Sequence, residues 1–357
     1  MEKYYAKVRQ ESVPYLFLLF FLFTTVPLLA ADLYVSPSGN DANSGSIGSP
    51  KLTIQAAIAA ASAGDVINVS AGTYNESLVV DKSLTLQGVS TDKSLQILDG
   101  TGLGTKSGIV LNSGVTNVTI KNFTIQKFTG GSGNSHGGIY GTDGNNNITV
   151  TNVALLDNSN ASGFYANGPI SGVSITNSVV NNSGPGARGI VIWNGFKQNI
   201  TISNNQLTNN NCCGIELQDG TASNVAINNN TIDISGGDNG IGVSGLSNQT
   251  GPNTINNNTI TGGGRYGIEI KNPAGGVTVS GNNVSLTIQN SDLRDRAGIA
   301  VFRRGKQASN VDVPNGVTVT GNTVTGYQQS STSEGFGIVI EGTNHVVTGN
   351  TLTNNEV

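Results

Sequence analysis

Apolar and polar residues alternate along most of this chain in short runs that repeat at a nearly fixed spacing. One frame starts with glycine and an apolar residue, as in GIEIK from Gly267 to Lys271. A second frame, such as NITIS from Asn199 to Ser203, has the same spacing. Runs this short with a period of two predict β-strands. The first frame recurs at Gly138, Gly163, Gly189, Gly214, Gly240, Gly267, Gly298 and Gly337.

A repeat of about 25 residues with at least two strands predicts a solenoid. Short strands cannot bury a face alone, but strands that lie parallel to their copies in the next turn enclose an aliphatic interior. We therefore predict an all-β fold, a single-stranded parallel β-helix with repeats from about residue 66 to 357. Asparagines after the second frame support this, because they would stack at a tight bend and tolerate a left-handed backbone. They are Asn205, Asn230, Asn258, Asn282, Asn322 and Asn350.

The two ends of the coil are expected to differ. A short N-terminal capping helix is predicted over residues 53–63, with Thr53 as its N-cap and Gly64 as its stop. The sequence ends in mid-repeat as TGNTLTNNEV. We therefore expect a continuation of the chain or a partner to cap the C-terminal end of the solenoid.

The beginning of the chain has the pattern of an export signal. Lys3, Lys7 and Arg9 precede an apolar run, and Ala30 and Ala31 supply small residues for cleavage. We predict a signal peptide over 1–31 and a single mature domain over 32–357. The protein would then be secreted or on the cell surface, extracellular or periplasmic, with no membrane association after cleavage. An uncleaved N-terminal anchor is the alternative.

Composition narrows the classes of partner. The net charge of -4 and the scattered Lys and Arg residues provide no basic stripe, so nucleic acid is not an expected partner. Cys212 and Cys213 are adjacent and could close only a strained ring, so they indicate no disulfide framework. We expect two small apolar side chains at a turn, since no His lies nearby to complete a metal site.

The segment from Leu33 to Ser90, LYVSPSGNDANSGSIGSPKLTIQAAIAAASAGDVINVSAGTYNESLVVDKSLTLQGVS, carries a family resemblance. It resembles the entry segment of right-handed parallel β-helix proteins of the pectin-lyase-like superfamily. It is similar to the leader of family-9-type pectate lyases and of uncharacterised exported β-helix proteins. The resemblance implies a right-handed coil. It fixes no activity, because the superfamily includes lyases, hydrolases, epimerases and adhesive proteins, and the motifs of its pectate lyases, epimerases and polygalacturonases are missing here.

In the glycine frame, the second and fourth residues after the glycine should point outward. Glu269 and Lys271 are thus expected to project into solvent. Glu216 lies two rungs from Glu269, roughly 10 Å away, with Gly242 leaving a dent between them. Four aromatic residues and two polar ones on or beside these outward columns could bind the faces and hydroxyls of sugars: Tyr140, Tyr165, Trp193, Gln218, Phe302 and Arg304.

The resemblance implies a mechanism for this face, the β-elimination of an acidic (uronic acid) polysaccharide. Lys271 would be the base, Arg303 would assist the leaving group or the substrate carboxylate, and Glu269 would complete the catalytic set. A possible Ca²⁺ ion would be held by Glu216, Asp219 and Glu269. One alternative is a non-catalytic cell-surface, adhesive or carbohydrate-binding β-helix. A second is a glycoside hydrolase that uses the same three carboxylates.

Overall fold

The structure is a computed structural model. It describes residues 30–130, 136–159, 162–182, 186, 188–234, 237–288, 294–303, 313–328 and 334–356. The predicted signal peptide, apart from Ala30 and Ala31, and Arg304 lie outside the described residues. Within them, no helix is long and apolar enough to span a bilayer.

The glycine frame forms one sheet of ten strands, called here the ten-stranded sheet. Each strand pairs in parallel with its copy one turn later, so that Glu216 lies beside Gly242 and Gly242 beside Glu269. The strands are Leu78–Val80, Ile109–Leu111, Gly137–Gly141, Ser162–Asn167, Arg188–Trp193, Cys213–Gln218, Asn239–Ser244, Tyr266–Lys271, Arg296–Phe302 and Gly335–Ile340.

The second frame forms a sheet of 22 strands that bends into two arms, because two of its strands run through the bend. Those two are Thr116–Gln126 and Asn146–Leu156. The first arm also holds Asp32–Val35, Val66–Val69, Leu84–Gly88, Ile170–Thr176, Phe196–Ser203, Thr221–Asn228, Leu246–Ser247, Asn253–Asn256, Ala274–Ser280, Asn315–Thr320 and Val346–Thr348. The second arm holds Gly72–Tyr74, Gln96–Asp99, Val179–Asn181, Gln206–Thr208, Thr231–Ile234, Thr259–Gly262, Asn283–Leu286, Thr323–Thr325 and Thr351–Thr353.

The predicted asparagines form a continuous hydrogen-bonded column at the bend, called here the asparagine ladder. In one rung, the Asn258 side-chain amide donates to the carbonyl of Ile227 and to Oδ1 of Asn282, and Oδ1 of Asn258 accepts from Asn230. The prediction of a stack is confirmed, but the left-handed residue is the one before, such as Asn229 (φ 58°). The ladder comprises Asn205, Asn230, Asn258, Asn282, Asn322 and Asn350.

The N-terminal helix is shorter than predicted. It spans Ile54–Ala60, and the Thr53 hydroxyl caps it by accepting from the backbone N–H of Ala56 at 3.2 Å. The chain leaves the helix at Ala61, three residues before Gly64. A 3-10 helix, Lys93–Leu95, lies beside the first turns. In the last described turn, Val346, Val347 and Leu352 are about half exposed.

Candidate functional site

The outer face of the ten-stranded sheet carries the predicted site residues. Ile268 and Ile270 are fully buried in the coil, so Glu269 and Lys271 between and after them face outward as predicted. The expectation that Glu269 projects into solvent is wrong, however. Glu269 is 2% exposed and Glu216 is 4% exposed, because neighbouring side chains on the same face cover both carboxylates.

Some of the side chains that cover these two carboxylates belong to a further set of outward-facing residues, which strict alternation did not predict. The residue before each glycine, such as Arg188 and Asn239, also lies on the outer face, because alternation breaks at the glycine. A side chain at Gly214 would meet the core atoms of Ile232, so the glycine faces inward next to an inward-facing isoleucine. The sequence did contain a signal for these outward positions, namely a charged or amide residue directly before the glycine, since such side chains avoid an aliphatic core.

Arg188 and Gln218 hold the carboxylate of Glu216 from two sides. The Arg188 guanidinium is ion-paired with Oε2 of Glu216. The Gln218 amide donates to Oε1 at 3.0 Å. Oε1 of Gln218 in turn accepts from Nζ of Lys271 at 2.6 Å, so Gln218 links Glu216 to Lys271 across three strands.

Glu269 is held in a similar way. The Asn239 side-chain amide donates to Oε2 of Glu269 at 2.9 Å, and Nζ of Lys271 lies 3.8 Å from the same oxygen. The dent predicted at Gly242 is filled, because a side chain there would lie 2.8 Å from the Asn239 amide nitrogen. Gly242 thus makes room for the amide that bonds to Glu269.

These residues enclose a cleft of about 240 Å³, called here the first cleft. The side chains of Arg188 and Lys271 are 14% and 16% exposed, whereas those of their partners Glu216 and Glu269 are 5% and 3% exposed. The cations therefore face the cleft, and the carboxylates lie beneath them. The cleft is lined by Arg188, Trp193, Glu216, Gln218, Asp238, Asn239, Tyr266, Glu269 and Lys271.

Burial raises the pKa of Glu216, because the charged carboxylate has lost its water. The positive charges of Arg188 and Lys271 and the hydrogen bond from Gln218 oppose this shift. Burial outweighs these contributions, so the pKa of Glu216 stays above its ordinary value.

Each of the predicted calcium ligands accepts hydrogen bonds from groups of the protein. The oxygens of Glu216 and Glu269 bond to protein groups, and Oδ2 of Asp219 accepts from Nε1 of Trp193 at 2.9 Å. Across the described ranges, no group of three His, Cys, Asp or Glu side chains could hold a metal ion.

Aromatic rings lie on both sides of the first cleft. Tyr140 stacks on Tyr165 with 5.6 Å between ring centroids, and His136 stacks on Tyr140 at 5.0 Å. Trp193 lies against Arg188, whose guanidinium carbon is 5.2 Å from the ring centroid. His136 is therefore the first ring of this stack.

Arg303 and Phe302 belong to a separate cleft of about 430 Å³, called here the second cleft. Tyr266 lines both clefts, and its ring meets Phe302 edge-on at 5.4 Å. Arg303 and Lys271 thus line different clefts, although Phe302, the residue before Arg303, is paired with Lys271 in the sheet. The second cleft is lined by Arg265, Tyr266, Asp295, Arg296, Ala297, Phe302, Arg303, Phe336 and Val339.

A buried lysine beneath the first cleft was missed altogether. Lys197 is 0% exposed. Its ammonium donates to backbone carbonyls at the ends of two neighbouring strands of the ten-stranded sheet, those that finish at Trp193 and Gln218. Burial lowers the pKa of Lys197 to about 8, and the charge of Asp219 opposes the shift. The carbonyls belong to Asn194 (3.0 Å), Gly195 (3.1 Å), Gln218 (3.1 Å) and Asp219.

The cysteines also differ from the prediction. Cys212 and Cys213 are joined by a disulfide at the start of the strand that carries Glu216, rather than being two free apolar side chains. The two adjacent residues close a small local ring, so the bond links no distant parts of the chain.

Comparison with known proteins identifies the fold. The family described as "right handed beta helix region" matches residues 107–284. A GH136 lacto-N-biosidase from Eubacterium ramulus aligns at 12% identity and TM-score 0.51, over 90% of this chain and 68% of that one. A rhamnogalacturonan lyase aligns at 14% identity and TM-score 0.45, over 90% and 87%. A pectate lyase, Pel9A, aligns at 14% and 0.40, over 90% and 79%. No curated protein matches the chain significantly by sequence.

The chain is a right-handed parallel β-helix protein. This is the fold that the resemblance of its leader segment implied. At these identities the likeness defines the fold alone, and function has to be argued from the clefts.

Proposed function

We propose that this protein binds an extended acidic polysaccharide along the outer face of the ten-stranded sheet and cleaves it in the first cleft by β-elimination. The carrying observation is that Arg188 and Lys271 face the cleft while buried glutamates hold them from beneath. Polysaccharide-active neighbours with the same fold are compatible with this proposal. Export rests on the N-terminal sequence pattern.

Aromatic rings and cations in one row suit an extended sugar chain. Strands of the sheet lie about 4.8 Å apart, so the face from Tyr140 to Phe336 extends over roughly 30 Å. Rings bind the apolar faces of sugars, and the polar groups between them bind hydroxyls and carboxylates. Such a face could hold several sugar residues at once.

Elimination needs three groups around one uronate residue. Its carboxylate must be neutralised, the proton at C5 must be removed, and the leaving oxygen must be protonated. Arg188, rather than Arg303, would face the carboxylate, since its guanidinium borders the cleft. Lys271 would remove the proton as the general base, and Gln218 would orient it through the 2.6 Å hydrogen bond. The proton so gained could return to the leaving oxygen. No step requires a calcium ion.

Hydrolysis is the second candidate, and the raised pKa of Glu216 favours it. A protonated carboxyl group can act as a general acid, with Glu269 two rungs away as the second carboxylate. The burial of both side chains beneath Arg188 and Lys271 is the reason that we place this reaction second.

Product analysis separates the two reactions. The protein would be incubated with pectate, alginate and glycosaminoglycans, and both ultraviolet absorbance of unsaturated products and new reducing ends would be measured. Elimination yields both signals, and Lys271→Met should remove them, whereas Lys121→Met on the first arm should not. Reducing ends without absorbance would indicate hydrolysis. Neither signal on any polymer would contradict cleavage and favour a binding or adhesive β-helix.

A further inference from the structure

We propose that the second cleft is a subsite for an acidic sugar residue of the same polysaccharide chain that occupies the first cleft. This inference rests on the proposed function, and it adds that the anionic specificity of the protein is set largely outside the cleavage cleft.

The charges of the two clefts differ in kind. In the first cleft, Arg188 and Lys271 each have a carboxylate partner. The second cleft has three arginines, Arg265, Arg296 and Arg303, against one aspartate. Among the described residues, neither Arg265 nor Arg303 forms an ion pair. Positive groups without a carboxylate partner attract an anionic ligand.

Among the described contacts, the carboxylate of the aspartate in the second cleft does not pair with Arg265 or Arg303. Its backbone carbonyl, not its carboxylate, accepts from Nε of Arg265 at 3.0 Å. Its Oδ1 accepts from the backbone N–H of Glu334 at 3.1 Å. Arg265 also lies 4.9 Å from the ring centroid of Tyr266, which holds its guanidinium at the cleft.

The second cleft also provides surfaces for a sugar ring. Phe302 and Tyr266 form a corner with their rings edge-on at 5.4 Å, and Phe336 lies one strand further along. Aromatic rings beside arginines can bind the apolar face of a sugar while a guanidinium pairs with its carboxylate. A neutral apolar ligand would use the rings but not the arginines.

The spacing of the clefts fits one continuous chain. The first cleft is centred near the strand Asn239–Ser244 and the second near Arg296–Phe302, two strands further. Two strand spacings are roughly 10 Å, about the length of a disaccharide. Because Tyr266 lines both clefts, a chain passing from one to the other would lie over its ring.

The test is calorimetric binding of uronate oligosaccharides and their neutral methyl esters, with Lys271→Arg present throughout to prevent cleavage. The probes are hexamers of galacturonate, mannuronate and glucuronate. Relative to this parent, Arg265→Gln combined with Arg303→Gln should weaken binding of the preferred acid about tenfold or more and leave the ester within about twofold. The matched control combines Lys106→Gln with Lys121→Gln, which removes two positive charges at positions that line neither cleft.

An equal loss for acid and ester, no loss for either, or no binding of any acidic hexamer would overturn the inference. Its failure is distinct from that of the proposed function. If the wild-type protein cleaves no polymer but the double variant selectively loses acid binding, the subsite proposal is supported and the cleavage proposal is contradicted. If the wild type cleaves a polymer and the double variant binds the acid as strongly as its parent, the cleavage proposal is supported and the subsite proposal is contradicted.

Discussion

Two buried polar arrays in this molecule, the asparagine ladder and the network of the first cleft, follow opposite rules. The ladder places the same residue in successive turns and bonds it to backbone carbonyls and to its own copies. The network places a different residue in every turn and bonds side chains to one another. A stack needs the first kind of array, because every turn must satisfy the same backbone groups. Nothing in the stack requires the second kind, which is the physical reason to seek function there.

The strongest test of a functional role for the network is a substitution that keeps its charge but removes its proposed chemistry. Lys271→Arg can still pair with Glu269, but an arginine cannot act as a neutral base. We expect kcat/KM on the preferred polymer to fall about a thousandfold, with the free energy of unfolding within about 1 kcal/mol of wild type. Steady-state kinetics and urea unfolding measure the two quantities. Retained activity would exclude Lys271 as the base.

The ladder should show the reverse behaviour. Asn258→Leu leaves the Ile227 carbonyl without a donor and the backbone N–H of Asn230 without its acceptor, in a fully buried position. We expect a loss of about 3 kcal/mol in the free energy of unfolding. Asn248→Ala, at an exposed position, is the matched control. Activity per folded molecule should change little, and a large loss of activity without a loss of stability would contradict a structural role.

Lys197 should fall between these two cases, because it belongs to the scaffold yet supports two residues of the first cleft. Lys197→Met removes a side-chain donor that bonds to four carbonyl oxygens, but it also removes a buried charge. We expect about 2 kcal/mol of destabilisation and a measurable rise in KM, since Trp193 and Gln218 precede the two turns that it joins. Unchanged KM at full folding would show that the turns hold their positions without it.

The smallest effect concerns pH. Because the pKa of Glu216 is raised in the folded protein, its carboxyl group keeps a proton over a range in which the unfolded chain has lost it. The contribution of Glu216 to stability is therefore present below that range and is lost as the pH rises through it. Glu216→Gln should flatten this part of the stability curve, as measured by urea unfolding at successive pH values. An unaltered slope would mean that Arg188 fully offsets the burial.

The coil and the ladder could be predicted from the sequence because every turn repeats the same evidence. The alternation of apolar and polar residues and the recurrent asparagine each appear many times, so single exceptions do little harm. The bounds of the capping helix were less certain, since it occurs once. Its observed end at Ala61 was not indicated by Gly64.

The site could be predicted only in part, because its residues do not repeat. The alternation of inward and outward positions after the glycine indicated Glu216, Gln218, Glu269 and Lys271. Arg188 and Asn239 were missed, because alternation was assumed to continue through the glycine. Lys197 was missed because a lysine in a strand suggests exposure, whereas its ammonium is buried among carbonyls that no sequence pattern lists. The sequence did not indicate that Arg303 and Lys271 line different clefts, because this depends on the packing of Tyr266, which lines both.

The asparagine ladder also makes the length of each turn unimportant to the coil. Asn258 and Asn282 are 24 residues apart and Asn282 and Asn322 are 40 apart, yet both pairs share the same 2.9 Å side-chain bond. The additional residues of the longer turn fall in the two connections on either side of the strand Arg296–Phe302. The architecture therefore combines a ladder geometry that repeats from turn to turn with connections of variable length. We therefore expect that loops inserted into these connections would change the surface of the protein without changing the coil.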